Sequence, residues 1–271
     1  LITITDDDFT AFSRYIKTHY GINLKPEKMS LVAGRLHHVI ASNKMNSLSE
    51  YLNYVQTDRS GQAAVTLLNK ITTNHTFFMR ESDHFYYFRD SVLPYLARTI
   101  ASKDMRIWSA ACSSGEEPYT LAMLIDEYFG RGKAGWDTKI LATDISSHVL
   151  DIAKRGIYSN EKIAILPPVW KMSYFKAYDA DSSILTDDIR DEVIFRKLNL
   201  MDPVFPFRKK FHVVFCKNVM IYFDRATRRE LVDKLYELTE HGGYLFIGHS
   251  ESLDRDKTKY KYVRPGVFRK E

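Results

Sequence analysis

Residues able to do chemistry gather first around one turn. Arg106-Ile107-Trp108-Ser109-Ala110 reads as a short buried strand, ended by the small-residue turn Ala111-Cys112-Ser113-Ser114-Gly115, and Glu117 to Phe129 follows as a helix with Pro118 in its first turn. Asp144 stands 29 positions beyond Gly115 and closes a second strand, Lys139-Ile140-Leu141-Ala142-Thr143. A strand, a glycine-containing turn and an acid at the end of the next strand can hold an adenosine-bearing ligand, the two carboxylate oxygens accepting from ribose hydroxyls. A nicotinamide cofactor would bring G-x-G-x-x-G, because a pyrophosphate needs close backbone approach. Only Gly115 is present here, which suits a compact ligand without phosphates such as S-adenosylmethionine. Taken alone, the turn is equally compatible with a structural βα connection, and an acid in Asp144's place can simply cap the next helix.

No nucleophile with a matched base accompanies this turn. Cys112 and Cys216 are the only cysteines, too few for a disulfide framework or a four-cysteine zinc site, and they read as small buried fillers. His249 and the pair His37-His38 have no partners at recognisable metal-ligand spacing, so no metal is expected. By residue type alone Tyr222 reads as a core tyrosine with a bonded hydroxyl, Arg80 as a surface ion pair, and Asn74 and Thr76 as caps of a following helix.

Alternating strands and helices must position these residues. Ser147 to Arg155 reads as a helix, Phe211-His212-Val213-Val214-Phe215-Cys216 as a buried strand, Arg225 to Glu240 as a helix and Gly243-Tyr244-Leu245-Phe246-Ile247 as another strand. That order implies an α/β fold, a doubly wound and mostly parallel sheet with ligands beyond the carboxyl ends of its strands. Ile157 to Arg196 breaks the rhythm with Pro167-Pro168, a lone Trp170 and two short strands around Met172 to Tyr178 and Val193 to Lys197, and reads as a small β-rich insertion.

Ahead of this lies a helical segment. Thr5 is placed to cap a helix with Asp6, Asp7 and Asp8 in its first turn, Phe9, Phe12 and Ile16 recur at helical spacing, and Gly21 supplies a left-handed stop. Pro26 opens a second helix carrying Met29, Val32, Leu36, Val39 and Ile40, Ser47 and Glu50 form a capping box ahead of a third, and Gln62 to Ile71 gives a fourth. Residues 9 to 75 hold eight Lys or Arg against three acids, a candidate face for an acidic partner. Lys28, Arg35, His38 and Lys44 fall on the wetter side of the second helix, where an ordinary solvated surface is the alternative reading.

The 271 residues, 45% hydrophobic and 27% charged, exclude disorder and suit about two domains at roughly 150 residues each. No apolar run reaches 18 residues, LITITDDDF is too short and acidic for a secretory core, and a reducing cytoplasm suits two free cysteines. A formal charge of +5 is modest for a nucleic-acid binder. Neither nucleic acid nor membrane insertion is expected, and a monomer is.

Several runs occur in a fixed order: Thr73-Asn74-His75-Thr76-Phe77-Phe78-Met79-Arg80-Glu81, Trp108 through Ser113-Ser114-Gly115-Glu116-Glu117-Pro118-Tyr119, Ala142-Thr143-Asp144-Ile145, Asn199-Leu200, Phe215-Cys216-Lys217-Asn218-Val219-Met220-Ile221-Tyr222-Phe223-Asp224, and Gly248-His249-Ser250-Glu251-Ser252. Together they resemble the chemotaxis receptor glutamate O-methyltransferases, the CheR family, over nearly the whole chain. The resemblance implies a Rossmann-like class I methyltransferase domain with a small β insertion, preceded by a small all-α domain. The implied divisions are 1–73 for the helical domain, 74–104 for a linker and helix covering the cofactor site, and 105–271 for the methyltransferase domain with its insertion at about 157–197.

The implied reaction moves a methyl group from S-adenosylmethionine to receptor glutamate carboxylates, leaving S-adenosylhomocysteine. Asn74, Thr76 and Arg80 would reach over the cofactor, Glu117 and Asp144 would hold its amino-acid and ribose portions, Asn199 and Leu200 would flank adenine, and Lys217 and Asn218 would close the site beside Tyr222. Arg80 and Tyr222 would be catalytic by positioning. A glutamate, with an ordinary pKa of about 4.3, is already a carboxylate at neutral pH, so no general base is required. Lys217 stands where the family commonly has Arg, His37-His38 replace frequent arginines, and no glycine lies between Tyr158 and Asn199. Glycine-rich loops there serve members that tether to a receptor's C-terminal pentapeptide, so docking is expected through the basic helix (Lys28, Arg35) without a tether. Alternatives are methylation of another acidic substrate, or a non-catalytic cofactor-binding module that docks on receptors.

Overall fold

The computed structural model describes residues 4–72 and 74–271. Four helices come first: α1 (Asp6–Tyr20), α2 (Met29–Ser42), α3 (Leu48–Thr57) and α4 (Gln62–Ile71). Their ends follow local chemistry. Thr5 and Asp8 close a reciprocal capping box on α1, and Gly21 terminates it at φ 71°. Ser47 accepts from the Glu50 amide at 3.1 Å, but the Glu50 carboxylate reaches the Asn46 amide at 2.8 Å, so the expected box closes one residue early. Pro26 starts a short 3-10 turn, Pro26–Lys28, which leaves Lys28 ahead of α2.

Arg35 departs from its expected role. It is half-buried and donates Nη1 to the Ile71 carbonyl at 2.9 Å, tying α2 to the end of α4. Helix C-termini leave carbonyls without partners, and a guanidinium satisfies one here. Lys28, by contrast, is exposed. Helical periodicity put both on one wet face because it takes no account of a neighbouring helix end.

The chain continues through α5 (Ser82–Tyr87), a π turn, α6 (Leu93–Thr99), β1 (Ile107–Ala110), α7 (Glu116–Phe129), β2 (Ile140–Asp144) and α8 (Ser147–Arg155). Then come β3 (Ile157–Ser159), α9 (Asn160–Ile163), α10 (Pro168–Tyr174), β4 (Phe175–Ala177), β5 (Ser182–Leu185), α11 (Asp187–Arg190) and β6 (Val193–Lys197). The last elements are β7 (Phe211–Cys216), α12 (Arg225–Leu238), β8 (Thr239–Phe246), β9 (Lys261–Arg264) and β10 (Val267–Arg269). Seven strands form one sheet in the order β6-β2-β1-β7-β8-β10-β9. The run from β6 to β8 is parallel, and β10 and β9 add antiparallel.

Successive side chains of β1 point to opposite faces. Ile107 joins Val213, Phe215, Phe246 and the apolar side of α7, while Trp108 and Ala110 join Val214, Leu245, Leu231 and Leu235 of α12 together with the buried residues of α1 to α4. Helices therefore cover both faces, as a doubly wound sheet requires. The insertion is a separate antiparallel sheet, β3-β5-β4. Val193–Lys197, expected within it, instead pairs parallel with β2 at the main sheet's edge, where Val193 and Phe195 are buried and their neighbours are not. In the segment expected to cover the cofactor site, Phe85 and Phe88 of α5 and the π turn pack on Phe215 against a sheet face, and Phe85 also lines the cavity described below with Asn74 to Phe77 and Arg80.

The helical segment and the sheet meet at the C-terminal end of α1. Ile22 bridges Phe223, the Asn23 amide donates to the Tyr222 carbonyl at 2.8 Å, and Lys17 pairs with Asp224 at 2.6 Å.

Candidate active site

Beyond the carboxyl ends of β1, β2 and β7 lies a cavity of about 330 Å³. All ten residues anticipated from sequence, from Asn74 to Tyr222, line it. Asp144 ends β2, buried, with Oδ2 accepting the Ser113 amide and Oδ1 accepting the Ser146 amide, both at 2.9 Å. Burial pushes its pKa up, and these amides pull the other way. The Ile145 amide adds to that pull, and the carboxylate stands on the cavity wall as an acceptor for a hydroxyl donor.

The glycine of the turn does a different job from the one anticipated. Gly115, at φ 95°, lies against α8 and Tyr158, where a Cβ would come within 2.9 Å of the Ala153 Cβ. Ala111 to Ser113 line the cavity, and Ala111 and Ser113 take left-handed φ values of 63° and 50° without being glycine. The Ser113 amide thereby faces Asp144. Cys112 reaches the cavity wall, but burial raises its thiol pKa well above the usual range, as it does for Cys216, and neither is a thiolate.

A buried charge cluster forms the floor. The Lys217 side chain is 3% exposed, its Nζ standing 3.4 Å from Glu81 Oε2 and 3.7 Å from Glu117 Oε2 and donating to the Arg80 carbonyl at 3.0 Å. It also lies 4.8 Å from the centre of the Phe85 ring. Glu117 accepts from the Ser109 hydroxyl at 2.8 Å; burial raises its pKa, and Lys217 opposes that rise. For Glu81 burial also pushes upward, but Lys217 and the donors Asn218 and His249 outweigh it and hold the carboxyl below its ordinary value.

Arg80 is reached through the linker. It donates Nη1 to the His75 carbonyl at 2.7 Å, and the Ser113 hydroxyl donates to the Asn74 carbonyl at 3.1 Å. The capping alternative for Asn74 and Thr76 fails, because α5 starts at Ser82 with no side-chain cap. Tyr222 ends a 3-10 turn, Met220–Tyr222, half-buried on the cavity wall. Asn199 spends its amide on the scaffold, donating to the His19 carbonyl at 2.7 Å and accepting from the Met201 amide at 3.0 Å.

Several wall and support residues escaped the sequence reading. Tyr20, Ile22, Leu68 and Thr72 extend the wall from the N-terminal helices; Tyr20 and Ile22 flank the Gly21 stop, which marked only a helix end. Glu251 accepts the amides of Asn218, Ile221 and Gly248 at 2.9, 3.2 and 2.6 Å, fixing the loop that carries Tyr222. His249, expected to lack ligand-like neighbours, joins Glu81 and His84 with ligand atoms within 4.8 Å of one another. Sequence separation hid that grouping.

The family model described as CheR methyltransferase, SAM binding domain, matches residues 74–267, and the CheR methyltransferase all-alpha domain matches residues 7–72. The chain belongs to the CheR methyltransferase family. A chemotaxis protein methyltransferase of Borreliella burgdorferi is 40% identical over 272 residues, covering 99% of this chain and 96% of the relative. Chemotaxis protein methyltransferase 1 of Pseudomonas aeruginosa is 37% identical over 268 residues, covering 96% of each. The CheR cofactor is S-adenosylmethionine, and the residues present fit it. A buried carboxylate on the cavity wall, Asp144, suits a ribose hydroxyl, acidic groups beside Lys217 suit an ammonium and carboxylate, and the turn offers no phosphate cradle.

Proposed function

We propose that this CheR protein transfers a methyl group to the side-chain carboxylates of glutamates in the cytoplasmic methylation helices of chemotaxis receptors. The observation that carries the reading is the convergence on one cavity of Arg80, Tyr222 and the acid pair Glu117 and Asp144 from four separate parts of the chain. S-adenosylmethionine supplies a methyl group on a cationic sulfur, which a carboxylate attacks without a base. The protein's task is then alignment and exclusion of water. Holding reactants in line contributes up to about 7–11 kcal/mol.

Arg80 is anchored by one guanidinium nitrogen to His75, leaving the rest of its fork to orient an incoming carboxylate. Tyr222 fixes the methyl donor from the opposite loop, held by Glu251 behind and by Asn23 on its carbonyl. Asp144 and Glu117 hold the ribose and amino-acid portions, Lys217 and Asn218 close the floor, Asn74 and Thr76 cover the ligand, and Asn199 and Leu200 flank adenine.

Docking uses the basic N-terminal segment, with exposed Lys28 as its leading charge. Arg35 contributes through α2–α4 packing instead. The insertion has no glycine-rich loop, so recognition is independent of a receptor tail tether. We place the reaction in the cytoplasm; among the described residues no helix is long and apolar enough to cross a membrane. The test is transfer of tritiated methyl to a receptor cytoplasmic fragment, with and without its C-terminal tail. Equal labelling of both supports the reading, and no labelling of either overturns it.

A further inference from the structure

Arg80 sits in a turn that should not hold itself. Its neighbours Met79 and Glu81 both take left-handed backbone conformations, φ 60° and 58°, which non-glycine residues rarely adopt. Such a turn persists only when surrounding groups over-determine it. Glu81 Oε1 accepts from Asn218 Nδ2 and from the His249 amide, each at 3.1 Å, and Oε2 faces the Lys217 ammonium at 3.4 Å. Lys217 in turn donates to the Arg80 carbonyl. Glu81 is 13% exposed at its side chain and is absent from the cavity wall, so it touches neither cofactor nor substrate.

We propose that Glu81 is a positioning residue for methyl transfer, setting Arg80 through Lys217 and joining the Arg80 turn to the loop of Asn218 and Tyr222. The inference rests on the methyl-transfer reading above. The grouping of Glu81, His84 and His249 has metal-like spacing, but Lys217 already presents a cation 3.4 Å from the same Glu81 oxygen. A metal there would meet like charge, and the cation this cluster holds is Lys217. His84 is neutral, its pKa driven down to about 4 by burial and by Lys217. It faces two acceptors, the Pro265 carbonyl at 3.3 Å and Glu81 Oε2 at 3.5 Å, and has one proton to offer. Lys217 therefore carries the charge that Glu81 answers. Without that answer its remaining carboxylate is Glu117, and a shift toward Glu117 releases the Arg80 carbonyl.

The test is Glu81→Gln, which keeps the acceptor for Asn218 and His249 and removes only the charge. Turnover of methyl transfer is expected to fall at least tenfold, with the dissociation constant for S-adenosylhomocysteine within threefold of wild type. Lys217→Met added to Glu81→Gln is expected to lower turnover no further than the worse single change, because both break one link. Hydrogen exchange of residues 75–81, read with S-adenosylhomocysteine bound, is expected to quicken about tenfold while α1 to α4 are unchanged. If Glu81→Gln does not fold, Glu81→Asp tests the same link by reach: it keeps the charge but draws it one methylene back from Lys217 and Asn218, and faster exchange of residues 75–81 with a smaller loss of turnover is expected. Unchanged turnover and exchange, or an affinity loss as large as the turnover loss, overturns the proposal. Wild-type protein that transfers no methyl overturns the methyl-transfer reading instead, and the exchange measurement still decides the role of Glu81.

Discussion

Asp144→Asn separates what this carboxylate does for the ligand from what it does for the fold. In the folded protein each oxygen accepts one backbone amide, from Ser113 and from Ser146, at 2.9 Å. An asparagine keeps one acceptor and must turn its NH2 toward the other amide, donor against donor. A buried amide left unpaired costs about 1–3 kcal/mol, present with or without ligand, so it lowers stability rather than affinity. Binding separately loses hydrogen bonds from ribose hydroxyls to a charged group, about 1.5–3 kcal/mol, or one to two orders of magnitude in affinity.

Calorimetric titration with S-adenosylhomocysteine and with adenosine, beside thermal unfolding, distinguishes the two effects. Adenosine carries the same ribose, so both ligands should weaken equally in Asp144→Asn, whereas Glu117→Gln should weaken only the one with an amino-acid portion. Acidification gives a second readout. Burial raises the pKa of Asp144, so affinity should begin to fall at a higher pH than for an exposed aspartate. Stability from this group moves the other way: a raised folded pKa penalises the ionised fold, and the penalty fades as pH drops through the raised folded value and is gone below the unfolded value near 3.9. Unchanged affinity of Asp144→Asn for both ligands refutes the ribose assignment.

Arg80→Ala and Tyr222→Phe should lower turnover at least tenfold while S-adenosylhomocysteine affinity changes little, as steady-state kinetics and titration would show. Arg35→Ala should destabilise the protein by about 1–3 kcal/mol in urea, because it strands the Ile71 carbonyl. Lys28→Glu should leave stability within about 0.5 kcal/mol but raise the KM for receptor, an effect that fades with salt. Asp224 is held down to about 2, first by Lys17 and then by Thr227. A depressed carboxylate contributes stability that is complete above the unfolded value near 3.9 and is lost as pH falls toward 2. Asp224→Asn keeps the cap on α12 and removes the ion pair, so it should flatten that acid limb by under about 1 kcal/mol, half-exposed Lys17 limiting the gain.

The elements that sequence revealed best are those whose ends carry their own chemistry. Thr5, Gly21 and the run Gln62 to Ile71 mark helix limits by capping and periodicity, and the βα unit from Arg106 to Asp144 reads directly as strand, turn, helix and strand. What stayed hidden depends on neighbours far along the chain. Val193–Lys197 has the alternation of any half-buried strand, and only pairing with β2 assigns it to the main sheet. The strands at Lys261–Arg264 and Val267–Arg269 flank Pro265-Gly266, a turn pair between β-branched and aromatic residues that alternation of strand and helix does not pick out. Sequence pattern carries the helix to Glu240, but α12 stops at Leu238 and Thr239 already enters β8 beside the Tyr260 hydroxyl. Within the site, residue type located the acids. The support given by Glu81 and Glu251 required the fold, because each carboxylate serves amides or cations on segments distant in sequence.

The central claim is the formation of a methyl ester on a receptor glutamate. It is tested most directly by incubating the protein and a receptor cytoplasmic fragment with S-adenosylmethionine labelled in the methyl group, then treating the product with mild alkali. Esters release their label as volatile methanol, while methylated nitrogen keeps it. The account predicts release of essentially all transferred label as methanol, with the added methyl mapped by mass spectrometry to glutamate side chains and lost when those glutamates become alanine. Alkali-stable label, or methyl groups mapped to any other residue type, would contradict it.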